Sequence, residues 1–216
     1  MLAEYPARYR DRRGDVATSL FNDGQLLAMV VRNVTFRGDD FDALEPADDS
    51  VATEQFTLHD NCLCSCTIET DIPIPVLENG HEAQGRLTVH LELGDPAPNG
   101  GIDREWLRLT FHYDDKVVQS SGTSGWFEDE LLDIQKRLPE GSYLKACITC
   151  AFSDYSPAGH GLFGGLACFR DNKAAYLAVN SKQKLFAVWN SMTGFVQETY
   201  LCPEFERRTP GAGYRG

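Results

Sequence analysis

The stretch that decides the fold of this chain reads SYLKACITCAF at 142–152, SDYSPAGHGLFGG at 153–165 and LACFR at 166–170. Apolar residues occupy the even positions from Leu144 to Phe152, and this period of two is typical of a half-buried strand. The middle segment has the composition of a glycine-rich loop, and the last segment reads as a second strand. The sequence therefore predicts a strand, a wide loop and a second strand.

The cysteines of this region raise the possibility of a metal site. Cys147-x-x-Cys150 has the spacing of many thiolate zinc and redox sites. In a strand, however, side chains three residues apart point to opposite faces of the sheet. The pattern therefore favours ordinary packed thiols, and no cofactor is expected. A zinc site is the alternative, and its candidate ligands are Cys147, Cys150, Cys168 and Cys202.

The loop contains a GxGxxG string, Gly159-His160-Gly161-Leu162-Phe163-Gly164. A dinucleotide site of this type needs a strand that runs directly into the glycines and a helix that follows them. Here six polar or small residues, 153–158, precede the glycines, and a predicted strand follows. The string therefore indicates a wide turn rather than a nucleotide site.

Polar side chains in and beside this loop are candidates for binding a ligand or partner. Binding groups are over-represented on loops that a rigid scaffold holds in place. The alternative is a loop that is simply solvated. The candidate residues are Asp154, Tyr155, His160 and Arg170.

A second candidate surface is the acidic segment 38–50. Six of its residues carry carboxylates, namely Asp39, Asp40, Asp42, Glu45, Asp48 and Asp49. Such a run is usually a solvated loop, but it also suits docking of a basic protein. The candidate binding residues here are Asp39, Asp40 and Asp42.

Composition narrows the possible partners and the compartment. The chain has 216 residues, a formal net charge of −12 and a pI near 4.8. An acidic chain disfavours nucleic acid and anionic membranes, because phosphate contacts need Lys and Arg. Seven cysteines without a visible secretion signal favour reduced thiols in a cytoplasm. We therefore expect a cytoplasmic protein with no nucleic-acid or membrane partner.

The remaining pattern predicts an α+β protein with an antiparallel, β-rich, sandwich-like body and two amphipathic helices in its C-terminal half. Alternating apolar residues predict strands near 25–36, 62–76, 85–93 and 106–113. Pro73 and Pro75 have no N–H group to donate to a strand ladder, so they predict a sheet edge.

Helical spacing predicts one helix after a Ser124 cap, ending near Leu138, and another over 182–201. A β-rich region, 1–122, and a helix–sheet unit, 123–216, then form one continuous domain, with a tail that Phe205 and Tyr214 would anchor.

The C-terminal third resembles an uncharacterised bacterial family, a domain of unknown function. The resemblance rests on the strings SDYSPxGxGLFG…CFR and TYLCPEFERRxPGxGYRG, and it covers the last seventy residues or so best. It implies a bacterial origin but no activity, cofactor or catalytic residue.

Two functions follow from these observations. The first is a non-catalytic, acidic, cytoplasmic protein-binding factor of the immunity or accessory type, which acts on a basic partner. The second is a metalloprotein or enzyme with a site at the loop 153–165. No common nucleophile motif such as GxSxG or HExxH is present in the sequence, which favours the first.

Overall fold

The computed structural model describes residues 3–48, 52–98 and 100–215, so Asp49 and Ser50 of the acidic segment lie outside the described residues. Within these ranges the fold is α+β with a β-rich body, as predicted. The strands in chain order are β1 (Ala3–Asp11), β2 (Gly14–Asn22), β3 (Leu27–Val31), β4 (Val34–Gly38), β5 (Glu45–Pro46), β6 (Thr57–His59), β7 (Cys62–Cys64), β8 (Cys66–Glu78), β9 (His81–Leu93), β10 (Glu105–Tyr113), β11 (Lys116–Gln119), β12 (Tyr143–Leu144), β13 (Ser153–Tyr155), β14 (Leu166–Cys168) and β15 (Gly194–Val196). The α-helices are α1 (Phe127–Arg137), α2 (Lys173–Leu177) and α3 (Lys182–Val188).

Ten strands form one antiparallel sheet in the order β11-β10-β9-β8-β1-β2-β3-β4-β5, and β12 adds to β8. A second sheet has the order β13-β14-β15, and β6 pairs with β7 in a third. In β8, β9 and β10 the apolar residues alternate as the sequence predicts, and one face of each strand is buried. That buried face belongs to a hydrophobic cluster that extends from Tyr9 to Leu166, so both halves of the chain share one core.

Helix α1 covers this face of the sheet, where Phe127, Leu131 and Ile134 are buried. Its first turn is acidic and its last turn basic, which matches the helix dipole. Ser124 does not cap the helix, because Trp126 occupies the N-cap position without a side-chain bond. Instead the buried Glu130 carboxylate accepts the backbone N–H groups of the segment that precedes the helix.

Three predicted elements are wrong in extent. The strand at 142–152 stops at Leu144, and a 3₁₀ turn follows at Cys147–Thr149. The strand at 25–36 is two strands, because Arg32 and Asn33 adopt positive φ angles of 49° and 66° and form a tight hairpin turn. The helix at 182–201 ends at Val188, and the chain continues through a 3₁₀ turn into β15.

The two prolines lie in an inner strand rather than at an edge of the sheet. β8 pairs along its whole length with β9. On its other side it pairs with β1 as far as Thr70 and with β12 from Val76. Pro73 and Pro75 fall in the gap between these two partners, where no donor is needed.

None of the helices in the described ranges has the length and apolar character to cross a bilayer.

Candidate functional site

The acidic segment and the glycine-rich loop meet at Asp40. Its Oδ1 accepts the N–H of Phe41 at 2.7 Å, and its Oδ2 accepts the N–H of Phe163 at 2.9 Å. Gly161 lies so close that a Cβ atom there would stand 2.6 Å from Oδ2 of Asp40. The sequence offers these two loops as separate candidates, and the structure brings them into contact.

Aromatic rings below the two loops hold them together. The ring centroids of Phe41 and Phe163 are 4.9 Å apart, and those of Phe127 and Phe163 are 4.8 Å apart. All three side chains are buried. Aromatic pairs at these distances stabilise a fold beyond what the burial of their apolar area contributes. The three rings therefore hold the acidic segment against the start of α1.

A cleft of about 790 Å³ opens between the loops and β15. We call it the acidic cleft. Its lining includes carboxylates, aromatic rings and polar side chains, among them Asp39, Asp40, Asp42, His160, Trp189, Phe195 and Gln197. Phe195 is 51% exposed and Trp189 is partly buried. The cleft therefore combines acidic groups with aromatic surface.

The carboxyl groups of the cleft are not simply solvated. Asp39 is exposed, but Asp40 is only 7% exposed and Asp42 is partly buried. Burial, followed by the charge of Asp42, raises the pKa of Asp40 to about 8, although two backbone N–H groups oppose this shift. Burial also raises the pKa of Asp42, while hydrogen bonds from its own N–H and from Asp40 act in the opposite direction. Burial next to a second carboxyl group therefore favours the protonated form of Asp40 near neutral pH.

A third carboxyl group lies near this pair. Burial, and then the charge of Asp42, raises the pKa of Glu105 to about 7. Glu105 begins β10, so the large sheet contributes to the negative field around Asp42.

His160 stands on the glycine-rich side of the acidic cleft. Its Nδ1 lies 2.8 Å from the carbonyl oxygen of Gly161, which fits an N–H donated to that oxygen. Its Nε2 lies 3.5 Å from Oε2 of Glu128 on α1. The imidazole packs 4.2 Å from the ring of Tyr155 and 5.3 Å from that of Trp126, centroid to centroid. These contacts hold the ring with its Nε2 beside a carboxyl group.

Asp154 and Tyr155 belong to a buried polar network and do not line the cleft. Tyr155 donates to Oε1 of Glu198 at 2.9 Å, and Tyr176 donates to Oδ2 of Asp154 at 2.9 Å. Glu198 also accepts the N–H of Gly164 at 2.7 Å, and its burial raises its pKa. This network fixes the small sheet beneath the loop.

Arg170 lies in a neighbouring cavity of about 570 Å³ and not beside His160. Gln197 lines both spaces. Its amide exchanges two hydrogen bonds with the buried amide of Asn22, at 2.6 and 2.9 Å. This pair joins the end of β2 to the segment after β15 and forms the floor between the two cavities.

The cysteine candidates lie close together, for a reason that the sequence analysis missed. Cys147 and Cys150 flank a 3₁₀ turn, in which residues three apart lie on the same side, so the argument from opposite strand faces was wrong. Burial, then the charges of Cys150, Cys202 and Cys168, raises the pKa of Cys147. All four thiols are buried and free. Even so, no group of three or more His, Cys, Asp or Glu side chains in the described ranges is arranged to hold a metal ion.

Sequence reasoning missed three residues of this region: Glu128, Gln197 and Glu198. Glu128 falls within the helix predicted after Ser124, and the other two fall within the helix predicted over 182–201. No motif in the sequence marks these three as site residues.

Comparison with protein families gives a match to the model described as "Family of unknown function (DUF6304)", over residues 3–153. The match covers the β-rich body and α1, whereas the strings quoted for the bacterial resemblance begin at Ser153. No curated protein and no solved structure matches the chain.

Proposed function

The chain belongs to this family of unknown function, DUF6304, and we propose that it is a non-catalytic protein-binding factor of the immunity or accessory type. In this proposal the acidic cleft receives a cationic side chain, lysine or arginine, of a basic partner. The observation that carries the proposal is the buried Asp40 carboxyl group, which lies with Asp42 in a cleft that Trp189 and Phe195 also line.

A cation is the group that best offsets the repulsion between the Asp40 and Asp42 carboxyl groups when both are ionised. The charge of Asp42 opposes ionisation of the buried Asp40 carboxyl group, so the pair favours a bound proton in the absence of an opposite charge. An ammonium or guanidinium group placed beside the pair favours the ionised form and displaces that proton. Trp189 and Phe195 offer the ring surfaces on which such cations bind favourably.

The overall charge supports the same kind of partner. A net charge of −12 attracts a basic protein and accelerates its encounter with the cleft. We further propose that this interaction takes place in a bacterial cytoplasm, where the seven thiols stay reduced.

Charge reversal in the cleft tests the proposal. Asp40 itself is unsuitable, because a lysine there would bury a charge without a partner. The double variant Asp39→Lys/Asp42→Lys is compared with Asp115→Lys/Glu140→Lys, a pair of exposed carboxylates elsewhere on the surface. Each pair adds 4 to the formal net charge and takes it from −12 to −8.

The probe is a pentalysine peptide, with its fully acetylated form as the neutral control, and binding is measured by calorimetry. The cleft variant should lose binding while the control variant keeps it, and both should melt as cooperatively as the wild type. The single variant Asp39→Lys, at an exposed position, covers the case in which the double variant does not fold. Equal weakening in both double variants would mean that only net charge matters, and the proposal would fail.

A second candidate function is an enzyme or metalloprotein with its site at the loop 153–165. The observation in its favour is that burial raises the pKa of Asp40 to about 8, since a carboxyl group with such a pKa can serve as a general acid. His160→Ala is the informative variant, because Asp154 is engaged in the buried network and its loss would affect folding. An enzyme predicts turnover of p-nitrophenyl ester, phosphate or glycoside substrates that His160→Ala abolishes at unchanged melting temperature.

A further inference from the structure

A third cavity, of about 440 Å³, lies beneath the C-terminal tail and is lined by three arginines. The arginines are Arg207, Arg208 and Arg215, and the apolar walls include Leu132, Tyr143 and Ile148. The size is within the range of small-molecule sites, and the lining combines apolar walls with a few charged groups, as those sites do. Three arginines at one place are notable in a chain whose net charge is −12.

The tail is docked, so these arginines extend from a fixed backbone. The N–H of Arg208 donates to the carbonyl of Thr149 at 2.8 Å, and the N–H of Ala151 donates to that of Glu206 at 2.8 Å. These bonds make a short antiparallel pairing beside the 3₁₀ turn. The predicted anchors Phe205 and Tyr214 contribute less, since Phe205 is partly buried and Tyr214 is 40% exposed.

Among the described residues, the hydrogen bonds of the Arg208 and Arg215 guanidinium groups go to neutral acceptors. Arg208 donates to the carbonyls of Ala212 and Ser153 and to the hydroxyl of Tyr176. Nη2 of Arg215 donates to the carbonyl of Ile148 at 2.7 Å. These bonds hold the groups in position but do not neutralise their charge.

Two nitrogens of this pair are buried without a hydrogen-bond partner among the described residues, Nε of Arg208 and Nη1 of Arg215. Oε1 of Glu128 lies 3.7 Å from Nη1 of Arg215, close enough for an ion pair but beyond hydrogen-bond distance. Glu128 also faces His160, so it compensates the arginines only in part. Both nitrogens lack accessible surface, so an occupant of the cavity would act on the pair through its charge rather than through these two N–H groups.

The charges of the two arginines also act against each other. Burial, followed by the charge of Arg208, lowers the pKa of Arg215. An anion in the cavity would offset this repulsion, because it would supply the opposite charge beside the arginines.

We propose that this cavity binds the oxyanion of a small molecule, a carboxylate or phosphate group carried on an apolar body. Guanidinium groups are suited to either anion, since their N–H groups match both in a bidentate geometry. Tyr143, Ile148 and Leu132 would contact the apolar body. This site is separate from the acidic cleft and does not depend on the function proposed for it.

The test uses benzoate and phenyl phosphate as probes, with benzamide as the matched neutral compound. Binding is measured by calorimetry at constant ionic strength. At least one of the two anions should bind saturably, and their relative affinities tell a carboxylate site from a phosphate site. Benzamide should not bind. Absence of saturable binding for both anions, or equal binding of benzamide, overturns the proposal.

Variants locate the binding. Arg207→Gln is the first choice, because Arg207 is exposed and its guanidinium lies 4.3 Å from the centroid of the Tyr143 ring, outside the buried network. It should weaken anion binding about tenfold, which corresponds to one charge-assisted hydrogen bond. Arg215→Lys keeps the positive charge but removes the planar group that can donate two parallel N–H bonds, so it should weaken binding as well. Arg8→Gln removes an exposed charge on β1 and should leave binding unchanged. If Arg207→Gln and Arg215→Lys both bind the anions as the wild type and Arg8→Gln do, the anion binds elsewhere and the proposal is wrong.

Discussion

The backbone N–H of Phe163 donates a hydrogen bond to Oδ2 of Asp40, with 2.9 Å between nitrogen and oxygen and 123 positions between the two residues in the chain. The loop that makes this contact also removes the Asp40 carboxyl group from solvent. That burial raises the pKa of Asp40 to about 8, although the Phe163 N–H itself acts in the opposite direction.

Asp40→Asn should flatten the pH dependence of stability. The folded pKa of Asp40, about 8, lies above its ordinary value of about 3.9. Between these values the folded state binds the extra proton, so the free energy of unfolding of the wild type falls as pH rises. Urea unfolding between about pH 5 and 8 should show a slope that is smaller in the variant by up to about 1 kcal/mol per pH unit.

Part of that slope will persist in the variant, because the pKa of Glu105 is raised as well, to about 7. Asp115→Asn, at an exposed turn, serves as the control and should follow the wild-type curve. Parallel curves for Asp40→Asn and the wild type would show that Asp40 is ionised in the folded protein.

Gly161→Ala should separate the two loops. The new Cβ would lie 2.6 Å from Oδ2 of Asp40, and that oxygen cannot move freely because it is buried and hydrogen-bonded. We expect a loss of about 1–3 kcal/mol in the free energy of unfolding, as for other overpacked sites. In an Asp40→Ala background the oxygen is absent, so the same substitution should cost less. Strict additivity of the two changes would contradict the contact.

Glu130→Gln should destabilise the start of α1 by about 2 kcal/mol, the range for hydrogen bonds to a charged group. Its carboxylate accepts the N–H groups of Gly122, Thr123 and Ser124 at 2.7–2.9 Å. Burial alone would raise its pKa, but these hydrogen bonds and that of Ser120 lower it. Thermal melts of Glu130→Gln and of Glu140→Gln, an exposed control, make the comparison; equal melting temperatures would contradict the role given to Glu130.

The thiols should react slowly in the native protein, with Cys62 the fastest. Cys62 is partly exposed and the other six are buried. Burial raises the pKa of Cys66 to about 12, which further suppresses its thiolate. Mass spectrometry after brief alkylation should therefore locate the label on Cys62, and Cys62→Ser should lose the fast phase. The result that would contradict this account is protection that disappears on chelation, together with about one zinc per chain at Cys147, Cys150, Cys168 and Cys202.

The large sheet and α1 were predictable because their patterns are local. Side chains in β8, β9 and β10 alternate over nine or more residues, and α1 shows helical spacing with charges that suit its dipole. In such elements the spacing of the apolar residues indicates which face is buried.

The elements that failed depend on distant contacts. In the segment 146–152, even-numbered and odd-numbered residues alike are buried, because the C-terminal tail binds this segment through Ala151 and Arg208. The end of the predicted second helix pairs instead with β14, an example of tertiary contacts that override local propensity. The burial of Asp40 also depends on a loop far along the chain, so the acidic segment read as solvated.

The most direct test of the central claim is the number of protons released when a cation binds in the acidic cleft. Pentalysine is titrated into the protein near pH 7 in two buffers with different ionisation enthalpies, and the difference in binding enthalpy gives the proton count. The account predicts release of close to one proton per peptide by the wild type and close to none by Asp40→Asn. Binding by the wild type without proton release would contradict the claim that a cation displaces the proton shared by Asp40 and Asp42.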